Sequence, residues 1–455
     1  MFAASLLKEQ MHVTQQRCRT LVVGLGATGL SAARYLAPRD RAVCVIDSRA
    51  APPGLNALRE AYPDVRVGLA TLDSSWLEGI ERVVLSPGLS LELPLVVEAR
   101  ARGIPVIGDI ELFARAADAP VAAVTGSNGK STVVTLVRSL LESLGIDAVA
   151  GGNLGPPALD LLSEHPDVYV LEISSFQMET TDSLYPKAAA ILNISADHLD
   201  RHGSLARYSG LKQKLLDAAQ LGVFNHDDAL VRAMGLAHPH AIPFSTVHAP
   251  RDGYGVLTLD GARWLARYGV ALLPVTDLRI RGRHNESNAL AALALAEVVS
   301  GIQLTDLQAL KTFSGLPHRC EWIAERRGIS FINDSKGTNV GATIAALEGL
   351  DGPFVLIAGG QGKGASFAPL ARAGRGRLAG AVLIGEAAGD LERTLTGVCP
   401  TRRAAGMPEA VAQAVAMAGT GMTVLLSPAC ASLDMFVDYA DRGEQFAAAV
   451  TELDP

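Results

Sequence analysis

The stretch Val121–Thr132, VAAVTGSNGKST, carries the clearest chemistry in the chain. An apolar run rich in β-formers leads into Gly126, Ser127, Asn128 and Gly129. Lys130, Ser131 and Thr132 then open a long amphipathic pattern that predicts a helix from Lys130 to about Leu144. N–H groups of such a loop and of the helix N-terminus suit phosphate oxygens. Lys130 would offset charge on the β- and γ-phosphates, and the Ser131 hydroxyl suits Mg²⁺. The spacing is two residues tighter than GxxxxGK[ST], but strand, loop and helix follow in the order that ATP binding requires.

A second glycine pattern, Gly24, Gly26 and Gly29 with Thr28 between, follows a strand and precedes a helix. Asp47 ends the next strand, about twenty residues on. This is the dinucleotide fingerprint, a diphosphate on a helix N-terminus beside a hydroxyl-binding acid. A nicotinamide dinucleotide and a UDP-sugar both offer those groups. Three more polar clusters sit where strands should end: Glu172 with Ser174 and Gln177, His198 in an Asp-His pair, and Asp334 with Lys336. Taken singly each reads equally as a satisfied polar loop. Beside a phosphate loop they supply a carboxylate and an imidazole for metal, and an acid and a lysine for a nucleotide.

The elements that must position these groups alternate strand and helix, which predicts parallel βαβ units with right-handed crossovers. The fold class expected is α/β with three domains. Residues 1–108 form a Rossmann-like domain, 109–315 a central ATP-binding domain, and 316–455 a second Rossmann-like domain. Tyr254 to Val275 reads as a small antiparallel patch around Asp260 and Gly261, and Ala371 to Gly380 as a flexible surface loop. At 455 residues, 49% hydrophobic and 19% charged, the chain suits compact packing rather than disorder. The net charge of −7 argues against a broad nucleic-acid surface. Five scattered cysteines without a CxxC pair argue against a disulfide framework or zinc ribbon. The first residues lack a secretory signal and no apolar run is long enough to span a membrane, so a cytoplasmic protein is expected.

Taken together, the motifs resemble the Mur ligase family. The matching stretches are Ser127–Thr132, Gly151–Asn153, Leu171–Gln177, Asp197-His198, Gly282–Asn288, Leu316–Arg319, Asn333–Lys336 and Leu426–Asp434. The resemblance runs from about residue 20 to the end. It implies an ADP-forming ligase that joins D-glutamate to UDP-N-acetylmuramoyl-L-alanine through an acyl phosphate, in peptidoglycan precursor synthesis, as a monomer. Implied catalytic residues are Lys130, Glu172, His198 and Lys212, the last as a carbamylated lysine. Ser131, Glu172, His198 and Lys212 would hold two Mg²⁺ ions. Gly126–Thr132, Asn285, Asn288, Arg319, Asp334 and Lys336 would contact ATP. Gly26, Thr28, Asp47, Ser86, Gly88, Asn153, Ser174 and Gln177 fall on the UDP-substrate side. Thr338, Lys363, Ser432, Leu433 and Tyr439 fall on the glutamate side.

Read without the resemblance, Lys212 is equally a solvated surface lysine, with Lys214 close by. The chain departs from the family pattern at Tyr439, Gln361, Ser366, Gly337 and Ala196, which touches amino-acid selection rather than ATP use. Three rivals stand beside the main reading: a relative adding L-glutamate, a nicotinamide-dependent dehydrogenase built on Gly24–Gly29 and Asp47, and a non-catalytic sensor with the ligase fold.

Overall fold

A computed structural model of the chain describes residues 18–40 and 42–453. The reading of the N-terminal twelve residues therefore lies outside the described residues. The described residues group into two compact units, those of 18–120 with 149–185, and those of 121–148 with 186–453.

In the first unit five parallel strands lie in the order Arg66–Leu69, Val43–Asp47, Thr20–Val23, Arg82–Leu85, Val106–Ile107. Thr20–Val23 and Val43–Asp47 are buried along their whole length, as expected for a parallel sheet covered on both faces. The strand order reverses between Thr20–Val23 and Arg82–Leu85, and such a switch point opens a crevice at the carboxyl ends of the strands. Gly24 to Gly29 and Ser86 to Gly88 leave those two strands there. The same unit holds the strand Val168–Glu172, which ends at the acid singled out from sequence.

The second unit carries strands of a mixed sheet in the order Val270–Pro274, Ala262–Arg267, Tyr254–Leu259, Ala241–Ser245, Leu221–Asn225, Ala188–Ile191, Val121–Thr125. Those from Val121–Thr125 to Tyr254–Leu259 are parallel neighbours; the last three at the other end are antiparallel. Asp260 and Gly261, both at positive φ, close the hairpin of the expected antiparallel patch. The helices Lys130–Ser143 and Arg283–Ser300 pack on this sheet and on each other.

A six-stranded sheet in the same unit runs Glu321–Arg326, Ile329–Asn333, Thr423–Leu426, Phe354–Gly359, Leu378–Ile384, Thr401–Arg403, with only its first pair antiparallel. The three α/β blocks read from sequence thus each have their sheet. The expected loop at Ala371 to Gly380 is a correction. Pro369, in the first turn, starts a helix Ala368–Gly374, and the strand Leu378–Ile384 begins four residues later. Glycine and arginine suggested a solvated loop, whereas packing of Leu370 and Leu378 into the core orders both ends. All five cysteines are free. Among the described residues no helix is long and apolar enough to cross a membrane.

Candidate active site

The phosphate loop begins where the buried strand Val121–Thr125 ends. Gly126 and Gly129 take φ values of 150° and 85°, which favour glycine. A Cβ on Gly129 would stand 2.4 Å from Asn288 Oδ1, so the loop turn and the Arg283–Ser300 helix meet only without a side chain there. Gly129 also heads the helix Lys130–Ser143. Lys130 folds back over the loop and donates from Nζ to the carbonyls of Gly126 and Ser127, both at 2.9 Å. Its ammonium is therefore held over the loop that precedes the helix N-terminus.

Neighbouring elements brace the loop. Asn193, just past the end of Ala188–Ile191, accepts from the Asn128 N–H at 2.8 Å and donates to the Asn128 carbonyl at 3.0 Å. The Ser127 hydroxyl meets Tyr208 OH at 2.9 Å and accepts from the Ser195 N–H at the same distance. Lys212 is no solvated surface lysine. It is 2% exposed, donates to the Gly126 carbonyl at 2.8 Å and lies 4.6 Å from the Tyr208 ring centre. Lys214 lies on the same Leu205–Asp217 helix, more accessible than Lys212.

A cavity of about 800 Å³ opens beside this loop, lined by Asn128, Gly129, Thr132, Asn285, Asn288, Arg319, Asp334 and Lys336 among others. Eight of the twelve residues expected to contact the nucleotide line it, and Gly126, Ser127, Lys130 and Ser131 do not. Arg319, two residues before the strand Glu321–Arg326, donates to Ser131 Oγ at 2.6 Å. Asn288 Nδ2 donates to Asn285 Oδ1 at 3.1 Å. Burial pushes the Asp334 carboxyl up to about 6, against hydrogen bonds from Ser427 Oγ at 2.7 Å and the Cys320 N–H at 3.3 Å. Gly337, a departure from the family pattern, has a local reason: a Cβ there would come within 2.6 Å of Asp334 Oδ2. Lys336 Nζ sits 3.5 Å from the centre of the Tyr439 ring.

A smaller depression is lined by Asp197, His198, Thr338, Asn339 and Lys363. His198 adopts left-handed backbone angles, and burial lowers its imidazole to about 4. The ring is therefore neutral near pH 7, the form that ligates metal. Asp197 Oδ1 faces Lys363 Nζ at 3.4 Å, and its Oδ2 accepts from Asn339 Nδ2 at 2.9 Å. Burial alone would raise this carboxyl, but Lys363 and His198 bring it below the ordinary value. The expected glutamate set divides here. Thr338 and Lys363 share the depression, Tyr439 lies on Lys336, Ser432 is buried, and Leu433 is 66% exposed.

In the first unit a cavity of about 300 Å³ is lined by Gly24, Gly26, Thr28, Asp47, Arg49, Ser86 and Gly88. The three glycines differ in purpose. A Cβ on Gly29 would strike the Gly24 carbonyl at 1.8 Å and one on Gly24 the Ser86 hydroxyl at 2.7 Å, whereas Gly26 faces open space. Gly26 is thus the place where a diphosphate can approach the backbone. Asp47 is already engaged. It accepts from the Leu25 N–H at 2.7 Å and pairs with Arg49 at 2.7 Å, and Arg49 draws its carboxyl down to about 2. Elsewhere in this unit Glu172 is buried and accepts from Asn153 Nδ2 at 2.6 Å. Ser174 and Gln177 form a capping box for the turn Ser175–Met178, with Gln177 also donating to Asp109 at 3.1 Å. Their polar groups serve the local backbone first.

Sequence reasoning missed Asn193, Asn339 and Arg49 as site residues, and used Asp197 only as part of a motif. Asn193 and Arg49 stand just past strand ends, a signal that would have flagged them. Asn339 acts across the chain from Asn128, a distance that only folding closes.

Three family models match in order: the N-terminal domain of MurD-like Mur ligases over residues 18–108, the Mur ligase middle domain over 124–296, and the Mur ligase glutamate ligase domain over 318–430. The chain belongs to the Mur ligase family. Relatives named UDP-N-acetylmuramoylalanine–D-glutamate ligase extend the match across nearly all of it. The protein of Nitrosococcus oceani is 48% identical over 442 residues, covering 96% of this chain and 98% of its own. That of Pseudomonas aeruginosa is 48% identical over 441 residues, covering 95% and 98%. Among solved structures, the UDP-N-acetylmuramate–alanine ligase of Thermotoga maritima has a TM-score of 0.59 at 19% identity, covering 95% of this chain and 99% of that one. A pseudomurein peptide ligase from Methanothermus fervidus has a TM-score of 0.56 at 18% identity, covering 95% and 100%. These two establish the shared three-domain Mur ligase fold.

Proposed function

We propose that this Mur ligase joins D-glutamate to the carboxyl of UDP-N-acetylmuramoyl-L-alanine at the expense of ATP, releasing ADP and phosphate, in the cytoplasm and as a monomer. The observation that carries the reading is the Lys130 loop, braced at Asn128 and Gly129 and opening on a cavity with Asn288, Arg319 and Asp334. The relatives that share nearly the whole chain are named for D-glutamate addition.

The division of labour follows the three segments 1–108, 109–315 and 316–455. In the first, Gly26, Thr28, Ser86 and Gly88 receive the uridine diphosphate. Arg49, which is half-exposed, offers the cation that Asp47 cannot. In the central segment Gly126–Thr132 hold the triphosphate, with Lys130 balancing charge where two anions must meet. Asn285, Asn288, Arg319, Asp334 and Lys336 line the remaining nucleotide cavity.

The donor set fits magnesium: the Ser131 hydroxyl and the Glu172 carboxylate are hard oxygen ligands, and the neutral His198 imidazole is available. Two ions, assigned to Ser131, Glu172, His198 and a carbamylated Lys212, would lower the charge barrier between phosphate and carboxylate. Carbamylation turns the buried Lys212 from a donor to the Gly126 carbonyl into an anion. The chain's own contribution is orientation. Lys363 and Thr338 position the amino acid so that its amine attacks the activated carbonyl, and the tetrahedral adduct collapses to amide and phosphate. Ser432, Leu433 and Tyr439 complete the glutamate side, with Asn153, Ser174 and Gln177 on the acceptor side.

The decisive experiment measures ADP release with UDP-N-acetylmuramoyl-L-alanine and either enantiomer of glutamate. Turnover with D-glutamate alone is expected; turnover with L-glutamate alone selects the rival ligase. Against the dehydrogenase stands Asp47, whose oxygens already serve Leu25 and Arg49 instead of a ribose hydroxyl.

A further inference from the structure

We propose that His226, Asp227 and His248 form a site for a borderline divalent metal ion of the zinc or nickel type, apart from the magnesium ligands. One ligand atom from each residue lies within 4.8 Å of the other two. His226 and Asp227 are consecutive, and the sheet brings His248 to them from the next strand. Leu221–Asn225 and Ala241–Ser245 are parallel neighbours with Asn225 opposite Phe244, and the His226 N–H donates to the Phe244 carbonyl at 2.9 Å. His226–Asp227 and His248 therefore leave adjacent strands at the same carboxyl edge. The two imidazoles meet edge to face, with ring centres 5.0 Å apart.

The surroundings already orient the ligands. Asp227 Oδ2 accepts from the Thr246 N–H at 2.7 Å and from its hydroxyl at 3.0 Å, while Oδ1 accepts from Ser245 Oγ at 2.5 Å. Ser245 Oγ also lies 3.1 Å from His248 Nδ1. Ser245 Oγ also accepts from the Val247 and His248 N–H groups at 3.1 and 3.2 Å, so one hydroxyl anchors both the carboxylate and the loop that carries His248. Hydrogen bonds of this kind, behind a carboxylate and an imidazole, set the tautomer and direction of metal ligands. Two imidazoles and one carboxylate favour zinc, nickel or cobalt over magnesium, which prefers oxygen and retains water. Three protein ligands leave a coordination position for solvent. Asp227 and Thr246 also line the 800 Å³ cavity, placing the ion at its rim.

The test uses the full chain without a histidine tag, stripped with chelator and dialysed against zinc in millimolar magnesium. One zinc per chain is expected in the unaltered protein. His226→Ala and His248→Ala should each weaken binding by roughly tenfold or more, as should Asp227→Asn. Equal zinc affinity and stoichiometry in the double histidine variant, or displacement by magnesium, would overturn the proposal. Cobalt absorption on the unaltered protein provides a check that no folding defect can disturb. Intense bands of four- or five-coordinate cobalt support the site; the weak bands of the hexaaqua ion refute it.

Discussion

Asn128 on the phosphate loop and Asn339 at the head of the Val340–Gly349 helix exchange amide hydrogen bonds, at 3.2 Å one way and 3.1 Å the other. Asn339 also caps its own helix through the Ala342 N–H at 2.9 Å and donates to Asp197 at 2.9 Å. One side chain thus ties the Lys130 loop, the Asp197-His198 pair and the start of a C-terminal helix.

Replacing Asn339 with alanine should remove both functions. Loss of the cap costs about 1 kcal/mol, readable as a lowered melting temperature. Loss of the link to Asn128 should raise the KM for ATP as well. Serine at this position can still cap the helix but is too short to donate to Asp197 or Asn128. Asn339→Ser should therefore recover stability without recovering the KM, and recovery of both would exclude the coupling.

Lys130→Ala should reduce ADP release by roughly a thousandfold, the order found when one preorganised charge-stabilising group is removed. The loop also loses the two carbonyl contacts that hold the ammonium in place. Steady-state kinetics at saturating ATP provides the check. A kcat within tenfold of the parent would remove Lys130 from the chemistry.

Asp334 predicts a pH dependence of stability. Its carboxyl titrates near 6 when folded, above the ordinary 3.8. The folded state therefore binds the proton more tightly, and the stabilisation from the protonated acid is present below about pH 4 and lost as pH rises to about 6. Asp334→Asn removes this penalty. Its gain in unfolding free energy over the parent should be larger at pH 8 than at pH 4. The bound on that difference is on the order of 3 kcal/mol, at about 1.4 kcal/mol per pH unit. Chemical denaturation at the two pH values tests it, and a difference of the opposite sign contradicts the assignment.

Lys212→Ala should lose activity and regain part of it with acetate or another short carboxylate, which replaces the anion of a carbamate. Full activity without added carboxylate would argue against carbamylation. Loss without rescue would leave Lys212 only the role that its contact with the Gly126 carbonyl describes.

The chemistry at single strand ends was legible in the sequence. Val121–Thr132 announced strand, loop and helix because buried apolar runs, positive-φ glycines and a helix-opening lysine are all local features. Asp260-Gly261 announced its hairpin for the same reason. What stayed hidden was which partners each group had already found. Asp47 looked like a ligand for a hydroxyl until Arg49 and the Leu25 N–H were seen to occupy it. Lys212 looked equally like a surface lysine until packing against Tyr208 and Gly126 buried it. Tyr439 found Lys336, and Asn128 found Asn339. Residue type and short spacing determine which groups are able to react. Which of them are already satisfied is a property of hydrogen-bond capacity in three dimensions, and only the tertiary structure decides it.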